Sequence, residues 1–270
     1  MVRGLDVGEP TFEIPDGRDA EGEGRAVSPD LELALRLADA ADAISLPAFA
    51  AGVLVETKPD LTPVTEADRA VEGELRSILA GERPTDGILG EEHGASGTGR
   101  RRWLLDPIDG TRNFTRGIPV WATLIALEDA GTVVLGVVSA PALARRWWAS
   151  RGDGAFVNGT PIRVSSVGRI EDAVLSFALE DGLPAVARRA WHTRGFGDFW
   201  AHVLVAEGAV DGAVEAVGID EWDLAAVQVL VEEAGGRFSD FTGASRIDGG
   251  TAVSSNGLLH DELLAEIAVG

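Results

Sequence analysis

Several residue types are scarce in this chain of 270 residues: cysteine and tyrosine are absent, and methionine and lysine occur once each. The absence of cysteine excludes disulfide bonds, thiolate metal sites and cysteine nucleophiles, and it leaves the redox compartment open. No run of about 18 uncharged apolar residues occurs, and the N-terminal segment lacks the apolar core of a signal peptide. We therefore expect a cytoplasmic protein with no membrane partner.

Positive charge is also scarce. The 23 lysine and arginine residues are outnumbered by 44 aspartate and glutamate residues, which gives a net charge of -21 at pH 7. Such a surface repels nucleic-acid phosphates and anionic lipid headgroups, so we expect neither as a partner. Hydrophobic residues make up 45% of the chain, which is enough for a core and indicates a globular protein.

The beginning of the chain combines glycine, proline and acidic residues with few apolar ones, which predicts a disordered acidic tail over residues 1–28. A Ser-Pro pair at the end of this segment is typical of a helix start. The apolar spacing that follows predicts a long amphipathic helix over residues 31–51, and a second helix is expected over residues 65–79.

Short apolar runs separated by Gly and Asp come next. They predict strands, several of them antiparallel because their connections are too short for crossover helices. Helices and strands then alternate, and three more helices are expected at residues 198–208, 222–234 and 258–268. The predicted fold class is α+β. We expect residues 29–270 to form one domain whose two subdomains, residues 29–170 and 171–270, share a cleft.

One segment places two carboxylates close together. An apolar run delivers Asp106 to a strand end, and Asp109 follows three residues later, where Gly110 permits a tight turn. A helix beginning after Asp109 would offer free N–H groups to an anion beside these carboxylates. Because the anion and the carboxylates repel unless a cation lies between them, the pattern predicts Mg²⁺, or Mn²⁺ in its place. A plain Asp-Gly turn capped by Asp106 is the alternative.

Three further acidic residues have compatible contexts, although each has a simpler explanation when taken alone. Glu91 follows a short apolar run and would otherwise belong to a solvated loop. Asp68 and Asp223 lie in the first turns of predicted helices, where they would otherwise compensate the helix dipole. The four histidines show no spacing typical of a metal site and are expected to be ordinary surface or packed residues: His93, His192, His202 and His260.

In their order along the chain, these elements resemble the inositol monophosphatase family of Mg²⁺-dependent, Li⁺-sensitive phosphatases. The similarity extends from about residue 30 to the end and is carried by the strings PVTEADRAVE, GILGEEHG, WLLDPIDGTRNF, GAFVNGTPIRVS and EWDLAAVQVLVEEAGGRF. Within the family, the sequence is most similar to the bacterial histidinol-phosphate phosphatase branch, through TKPDLTPVTEAD, SAPALARRWWASRGDGAF, RGFGDFWAHVLVAEGAVD and SSNGLLHDELL.

The resemblance implies a layered αβαβα sandwich of the inositol monophosphatase and fructose-1,6-bisphosphatase type, assembled as a homodimer with two or three Mg²⁺ ions per chain. Carried over residue by residue, it makes Glu91, Asp106 and the Ile108 carbonyl ligands of one ion. Asp106, Asp109 and Asp223 become the ligands of a second ion. Glu91 would also lie near a third, weaker one.

Catalytic roles are implied for Glu91 and for two residues that would orient the attacking water, Asp68 and Thr111. The backbone N–H groups of Gly110 and Thr111 would bind the phosphate.

Substrate contacts are implied for Arg194, Gly197, Asp198 and Glu215. Asp198 would complement a positively charged substrate, and capping of its own helix is the alternative. Glu215 lies eight residues before Asp223, rather than seven as in many relatives, which implies a one-residue insertion between them.

The activity that this resemblance implies is hydrolysis of L-histidinol phosphate to L-histidinol and phosphate, a step of histidine biosynthesis. An inositol monophosphatase or another small sugar-phosphate phosphatase is the alternative, because it would share every metal ligand. A catalytically silent regulatory protein is a hypothesis of a different class, and it predicts the loss of at least one ligand, whereas all four acidic ligands are present.

Overall fold

A computed structural model describes residues 27–52, 55–57, 63–180 and 182–267. Most of the predicted acidic tail, residues 1–26, lies outside the described residues. Ser28 is already part of the fold, because its Oγ accepts a hydrogen bond of 3.1 Å from the Leu31 N–H and caps the first helix.

Two helices form the first layer of the molecule, α1 (Pro29–Ala51) and α2 (Glu66–Glu82). Helix α1 contains Pro47 in its interior. The buried faces of both helices pack against one face of the first sheet, in an apolar cluster that includes Leu37, Leu75 and Trp103. This cluster provides the apolar surface that holds the first layer in place.

The first sheet has eight strands in the order β10-β9-β8-β7-β6-β5-β3-β4. Neighbouring strands are antiparallel except for β3 and β5, which are parallel. A separate ribbon of β1 (Val55–Thr57) and β2 (Pro63–Thr65) precedes α2. The strands of the sheet are β3 (Gly87–Gly90), β4 (Gly94–Ser96), β5 (Arg101–Asp109), β6 (Ala122–Asp129), β7 (Thr132–Ala140), β8 (Arg145–Ser150), β9 (Gly154–Val157) and β10 (Thr160–Ile162).

The second sheet has five strands in the order β12-β11-β13-β15-β14. Strand β11 is parallel to both β12 and β13, and the other neighbours are antiparallel. Its strands are β11 (Val174–Ala178), β12 (His192–Arg194), β13 (Gly212–Glu215), β14 (Arg237–Ser239) and β15 (Ala252–Ser255).

Helices α4 (Asp198–Ala206) and α5 (Glu221–Glu233) lie between the two sheets, and α6 (His260–Ile267) packs on the outer face of the second. All eight residues from Leu224 to Val231 of α5 are buried. A helix enclosed by two sheets has no solvent-exposed face, which explains why seven of these eight residues are apolar. The exception is Gln228, whose Nε2 donates a hydrogen bond of 3.1 Å to Ser245 Oγ. The layers therefore run helix, sheet, helix, sheet, helix, and the predicted αβαβα sandwich is confirmed.

Strand β5 is longer than predicted. It does not end at Asp106 but continues to Asp109, and its register against β6 shifts between these two residues. Pro107 lies within the irregular part, where it has no N–H to donate to the neighbouring strand. Its carbonyl instead accepts a hydrogen bond of 2.8 Å from Thr123 Oγ1. The shift brings Asp106 and Asp109 to the same end of the sheet.

Candidate active site

Glu91 and Asp106 are neighbours because of the parallel pairing of β3 and β5. Gly90 lies opposite Leu105, and the pairing continues with a hydrogen bond of 3.2 Å from the Glu91 N–H to the Leu105 carbonyl. The next residues, Glu91 and Asp106, therefore lie side by side, Glu91 directly after the end of β3 and Asp106 where the register of β5 shifts.

Asp223 reaches the same place from a different layer. It lies in the first turn of α5, and its Oδ2 accepts a hydrogen bond of 2.6 Å from the Asp220 N–H. Carboxylate oxygens of Asp106, Asp109 and Asp223 all lie within 4.8 Å of one another. The structure thus brings together three of the four predicted acidic metal ligands, and Glu91 lines the same cleft.

These carboxylates strongly disfavour one another's charge. Burial, followed by repulsion from Glu91, raises the pKa of Asp106 well above its ordinary value, and burial also raises that of Asp109. Burial raises the pKa of Asp223 to about 8. Because carboxylate oxygens of Asp106, Asp109 and Asp223 lie so close together, a cation bound among them would relieve their repulsion. A buried set of oxygen ligands without sulfur or imidazole suits Mg²⁺ or Mn²⁺.

A short helix, α3 (Thr111–Thr115), begins directly after Asp109. Gly110 precedes it with φ +80°, and a Cβ atom there would lie 3.1 Å from the Val120 carbonyl, so this position requires glycine. The N–H groups in the first turn of a helix have no partners within the helix. Because Gly110 and Thr111 line the cleft beside the carboxylates, these N–H groups can bind an anion there.

Asp68 lies in the first turn of α2 and is buried. Its Oδ2 accepts hydrogen bonds from the N–H and the hydroxyl of Thr65, at 2.8 and 2.6 Å. Its Oδ1 is buried without a hydrogen-bond partner among the described residues. Burial raises the pKa of Asp68 to about 6, against the lowering effect of the hydrogen bonds from Thr65.

Asp68 and Thr111, the two residues expected to orient the attacking water, do not hydrogen-bond to each other. The Thr111 hydroxyl donates a hydrogen bond of 2.9 Å to the Ile108 carbonyl, and Asp68 is not among the residues that line the cleft. Any link between the two side chains therefore requires a bridging molecule such as water.

A second acidic pair, Asp198 and Glu215, lines the same cleft and adjoins Asp109 and Gly110. Glu215 is buried and accepts hydrogen bonds of 2.9 Å from both the Asp198 N–H and His202 Nε2. The other nitrogen of His202 lies 2.7 Å from Ser254 Oγ. His202 is only 1% exposed. It is therefore a packed histidine. Its place beside Glu215 was not predicted, because Glu215 and Ser254 come from other elements of the fold.

Asp198 does not cap its helix as the alternative interpretation requires. The residue before α4 has no side-chain cap, and the first two N–H groups of α4 donate instead to Glu215 and to Asp109 Oδ2. Asp198 itself has φ +56°, a left-handed conformation that is costly for a residue other than glycine. Desolvation by the surrounding protein, followed by repulsion from Glu215, raises the pKa of Asp198 to about 6.

Arg194 and Arg112 differ in their placement relative to the cleft. Arg194 lies on the edge strand β12, where it is exposed and lines a separate cavity of about 360 Å³ with Trp191. The structure therefore does not bring Arg194 to the cleft with Gly197 and Asp198. Arg112 does line the cleft, and its charge lowers the pKa of Asp198. Arg112 was not predicted as a site residue, since an arginine in the first turn of a short helix carries no distinctive pattern.

The cleft has a volume of about 420 Å³, which suits a small metabolite. Its lining includes both acidic groups and consists of Glu91, Asp106, Ile108, Asp109, Gly110, Thr111, Arg112, Phe177, Ala178, Leu179, Gly195, Gly197, Asp198, His202, Glu215, Val217, Gly218, Ile219, Asp223 and Leu224.

Known proteins are similar in sequence to this chain over most of its length. The chain is 51% identical over 257 residues to the histidinol-phosphatase of Mycobacterium tuberculosis, which covers 89% of this chain and 98% of the relative. The histidinol-phosphatase of Streptomyces coelicolor is 48% identical over 254 residues, 87% of this chain and 95% of the relative.

Among solved structures, the extragenic suppressor protein suhB from Bartonella henselae superposes with a TM-score of 0.83 at 31% identity, over 90% of this chain and 100% of that one. The sequence profile of the inositol monophosphatase family matches residues 27–269. On this match and these identities, the chain belongs to the inositol monophosphatase family.

Proposed function

We propose that this protein is a Mg²⁺-dependent phosphomonoesterase that hydrolyses L-histidinol phosphate to L-histidinol and phosphate. The observation that carries the proposal is one cleft lined by two adjoining acidic groups. Asp106, Asp109 and Asp223 lie beside the start of α3, and Asp198 and Glu215 adjoin them at the start of α4. The first group suits a cation with a phosphate, and the second suits a positively charged organic group. The histidinol-phosphatases among its relatives support the same substrate.

Metal ligands in this proposal are the carboxylates of Glu91, Asp106, Asp109 and Asp223 and the carbonyl of Ile108. Two or three Mg²⁺ ions held there would neutralise the phosphate and lower the pKa of a bound water, and Mn²⁺ would substitute. The chain's own contribution is to fix these oxygens before the substrate arrives. The β5 irregularity fixes Asp106 and Asp109, and the Asp220 N–H fixes Asp223.

Thr111 and Asp68 orient the attacking water in this proposal. Because the Thr111 hydroxyl donates to the Ile108 carbonyl, its oxygen remains able to accept a hydrogen bond from water. The free Oδ1 of Asp68 supplies a second acceptor. The N–H groups of Gly110 and Thr111 bind the phosphate oxygens that face away from the carboxylates.

The organic part of the substrate lies toward α4. Histidinol phosphate carries an ammonium group and a titratable imidazole, which a polyol phosphate lacks. Asp198 and Glu215 complement this positive charge, and Gly197 keeps the approach open, because a Cβ atom there would lie 3.3 Å from Glu215 Oε1. His202 holds Glu215 through Nε2, and its Nδ1 lies 2.7 Å from Ser254 Oγ, so both the ring and the carboxylate are fixed at the cleft.

Four finer properties complete the proposal: inhibition by Li⁺, which competes for a metal position, assembly as a homodimer, a cytoplasmic location, and no nucleic-acid or membrane partner. No helix within the described ranges has both the length and the apolar character needed to cross a membrane. Light scattering of the purified protein tests the dimer, since a monomeric mass would contradict it.

A substrate panel tests the proposed activity. Phosphate release is measured from histidinol phosphate, inositol 1-phosphate, fructose 1,6-bisphosphate and 3′-phosphoadenosine 5′-phosphate, each with and without Mg²⁺. We expect the highest kcat/KM for histidinol phosphate and no release without Mg²⁺. A higher kcat/KM for inositol 1-phosphate would favour the sugar-phosphate alternative, and no release from any substrate would favour a catalytically silent protein.

A further inference from the structure

We infer that Glu72 is a positioning residue that fixes the backbone beside Glu91 and thereby sets the affinity of the metal site. The inference rests on the proposed function only through the role of Glu91 as a metal ligand. Glu72 lies on α2, one turn after Asp68, and its carboxylate is fully buried.

The carboxylate of Glu72 accepts hydrogen bonds from the turn that follows Glu91. Its Oε2 accepts one of 2.6 Å from the Glu92 N–H, and its Oε1 accepts one of 3.2 Å from the His93 N–H. Two consecutive backbone N–H groups are therefore held by one buried side chain. Since a peptide unit is planar, fixing the Glu92 N–H also fixes the carbonyl end of Glu91.

Gly90 makes this close approach possible on the other side of Glu91. A Cβ atom at Gly90 would collide with the Glu72 carboxylate. The backbone conformation of Gly90 is an ordinary strand conformation, so glycine is required here for space rather than for a left-handed turn. Glu91 is thus flanked by a residue that admits the Glu72 carboxylate and by a residue that binds it.

Arg76 balances the buried charge and extends the same support. Its Nε donates a hydrogen bond of 2.6 Å to Glu72 Oε1, its Nη1 donates one of 2.9 Å to Ser96 Oγ, and its Nη2 donates to the Gly94 carbonyl. Glu72 and Arg76 together connect α2 to the turn and to strand β4 of the β3–β4 hairpin. The turn of this hairpin carries Glu91, whose carboxylate faces Asp106.

This arrangement has a consequence for metal binding. Groups that hold a metal ligand in place typically change metal affinity by about 10- to 100-fold when they are removed. Glu72→Gln keeps the shape of the side chain but replaces one acceptor oxygen with an NH₂ group. This donor would face the backbone N–H groups after Glu91 or the Arg76 guanidinium, which are donors themselves. Glu91 then loses its fixed backbone while every proposed metal ligand remains present.

The test measures Mn²⁺ binding by titration calorimetry or electron paramagnetic resonance, together with the Mg²⁺ concentration for half-maximal phosphate release. For Glu72→Gln we expect the Mn²⁺ dissociation constant and the half-maximal Mg²⁺ concentration each to rise by about 10- to 100-fold. The kcat should recover at saturating Mg²⁺. The matched control is Glu74→Gln, which makes the same charge change at an exposed position of the same helix. This control should leave both values unchanged.

Glu72→Asp separates positioning from charge and serves if Glu72→Gln does not fold. It keeps the negative charge near Arg76 but is one methylene too short to reach the Glu92 and His93 N–H groups, so Mn²⁺ binding should still weaken. If the folded variants bound Mn²⁺ with wild-type affinity, even at a lower Tm, the inference would be overturned. Glu72 would then contribute only to the stability of the fold. Absence of Mn²⁺ binding by the wild-type protein would instead contradict the proposed metal site.

Discussion

At the scale of single residues, two carboxylates with proposed roles in the reaction also cap helices. Asp68 and Asp223 both lie in the first turn of a helix, and each uses Oδ2 to accept a hydrogen bond from a backbone N–H that precedes the helix. The other oxygen of each remains outside the helix cap: Asp68 Oδ1 is buried without a hydrogen-bond partner among the described residues, while Asp223 faces Asp106 and Asp109. Helix capping therefore orients each side chain for its proposed role.

Asp198 provides a prediction about substrate selection. Asp198→Asn removes the charge but tolerates the left-handed backbone. We expect kcat/KM for histidinol phosphate to fall by about 5- to 150-fold, roughly 1–3 kcal/mol for a charge-assisted hydrogen bond. The kcat/KM for phosphate esters of uncharged sugars should change little. An equal loss on both substrate classes, with a lower Tm, would restore a purely structural role.

Asp198 also predicts a pH dependence. Since the pKa of this carboxyl is raised to about 6, its negative charge is present above that pH and lost below it. The preference for histidinol phosphate over an uncharged sugar phosphate should therefore fall as the pH drops through about 6, and Asp198→Asn should abolish this change. A preference that is constant from pH 5 to about 8 would contradict the proposed contact.

Thr111 provides a prediction about the attacking water. Thr111→Ala leaves all the proposed metal ligands in place but removes a hydroxyl that touches the Ile108 carbonyl. We expect kcat to fall by about 10²-fold or more, the scale of positioned proton transfer, with little change in KM. A normal kcat with a raised KM would place Thr111 in ground-state binding instead.

At the scale of secondary structure, the site depends on how closely α5 packs on the first sheet. Gly136 in β7 lies against α5, and a Cβ atom there would be 2.6 Å from the Ala226 carbonyl. Gly136→Ala should lower the free energy of unfolding by about 1–3 kcal/mol, as for other overpacked cores, and should weaken metal binding because α5 carries Asp223. Urea unfolding and Mn²⁺ titration measure the two effects.

The control for this substitution is Gly73→Ala on α2, where a Cβ atom meets nothing within 4 Å. Alanine in an exposed helix is favoured over glycine by about 0.5–1 kcal/mol, so this variant should be slightly more stable. If Gly136→Ala were as stable as Gly73→Ala, α5 would not pack as closely as the structure describes.

Elements with strong patterns were predictable, and short elements at the edges were not. The long helices have capping residues and apolar periodicity, and the central strands are continuous apolar runs. Strands β4, β10 and β12 have three residues each, too few for any alternation to be recognised. Their pairing is decided by neighbouring strands rather than by their own side chains.

The site was partly predictable for the same reason. Asp106 and Asp109 share a local segment, whereas the meeting of Asp223 with them depends on the stacking of α5 against the sheet. The positions of His202 and Arg112 were missed because their partners come from distant elements. Arg194 is close to Gly197 along the chain, but the edge strand β12 directs it to a different cavity.

At the scale of the whole molecule, the acidic cluster links stability to pH and to metal. The pKa of Asp223 is raised to about 8, above the 3.8 of an unperturbed aspartate. Between these values the folded protein binds more protons than the unfolded chain, so metal-free stability should fall as pH rises toward 8. His260 has the opposite effect only below 6.5, because burial lowers its pKa to about 4.

The measurement is the Tm in excess EDTA and in Mg²⁺ between about pH 6.5 and pH 8.5. In EDTA the Tm should fall over this interval. The increase in Tm caused by Mg²⁺ should grow with pH, since the cation replaces protons. A metal-free Tm that rises over the same interval would show that the cluster is not strained by its own charge.

Phosphate release from L-histidinol phosphate, followed during removal and return of metal, tests the central claim most directly. Buried carboxylates and a phosphate cannot share one end of a cleft without cations. The wild-type protein should lose activity in excess EDTA and regain it with Mg²⁺. Asp106→Asn should remain largely inactive, because the substitution weakens the binding of both proposed Mg²⁺ ions. Undiminished release in excess EDTA, or near wild-type release by Asp106→Asn, would contradict the account.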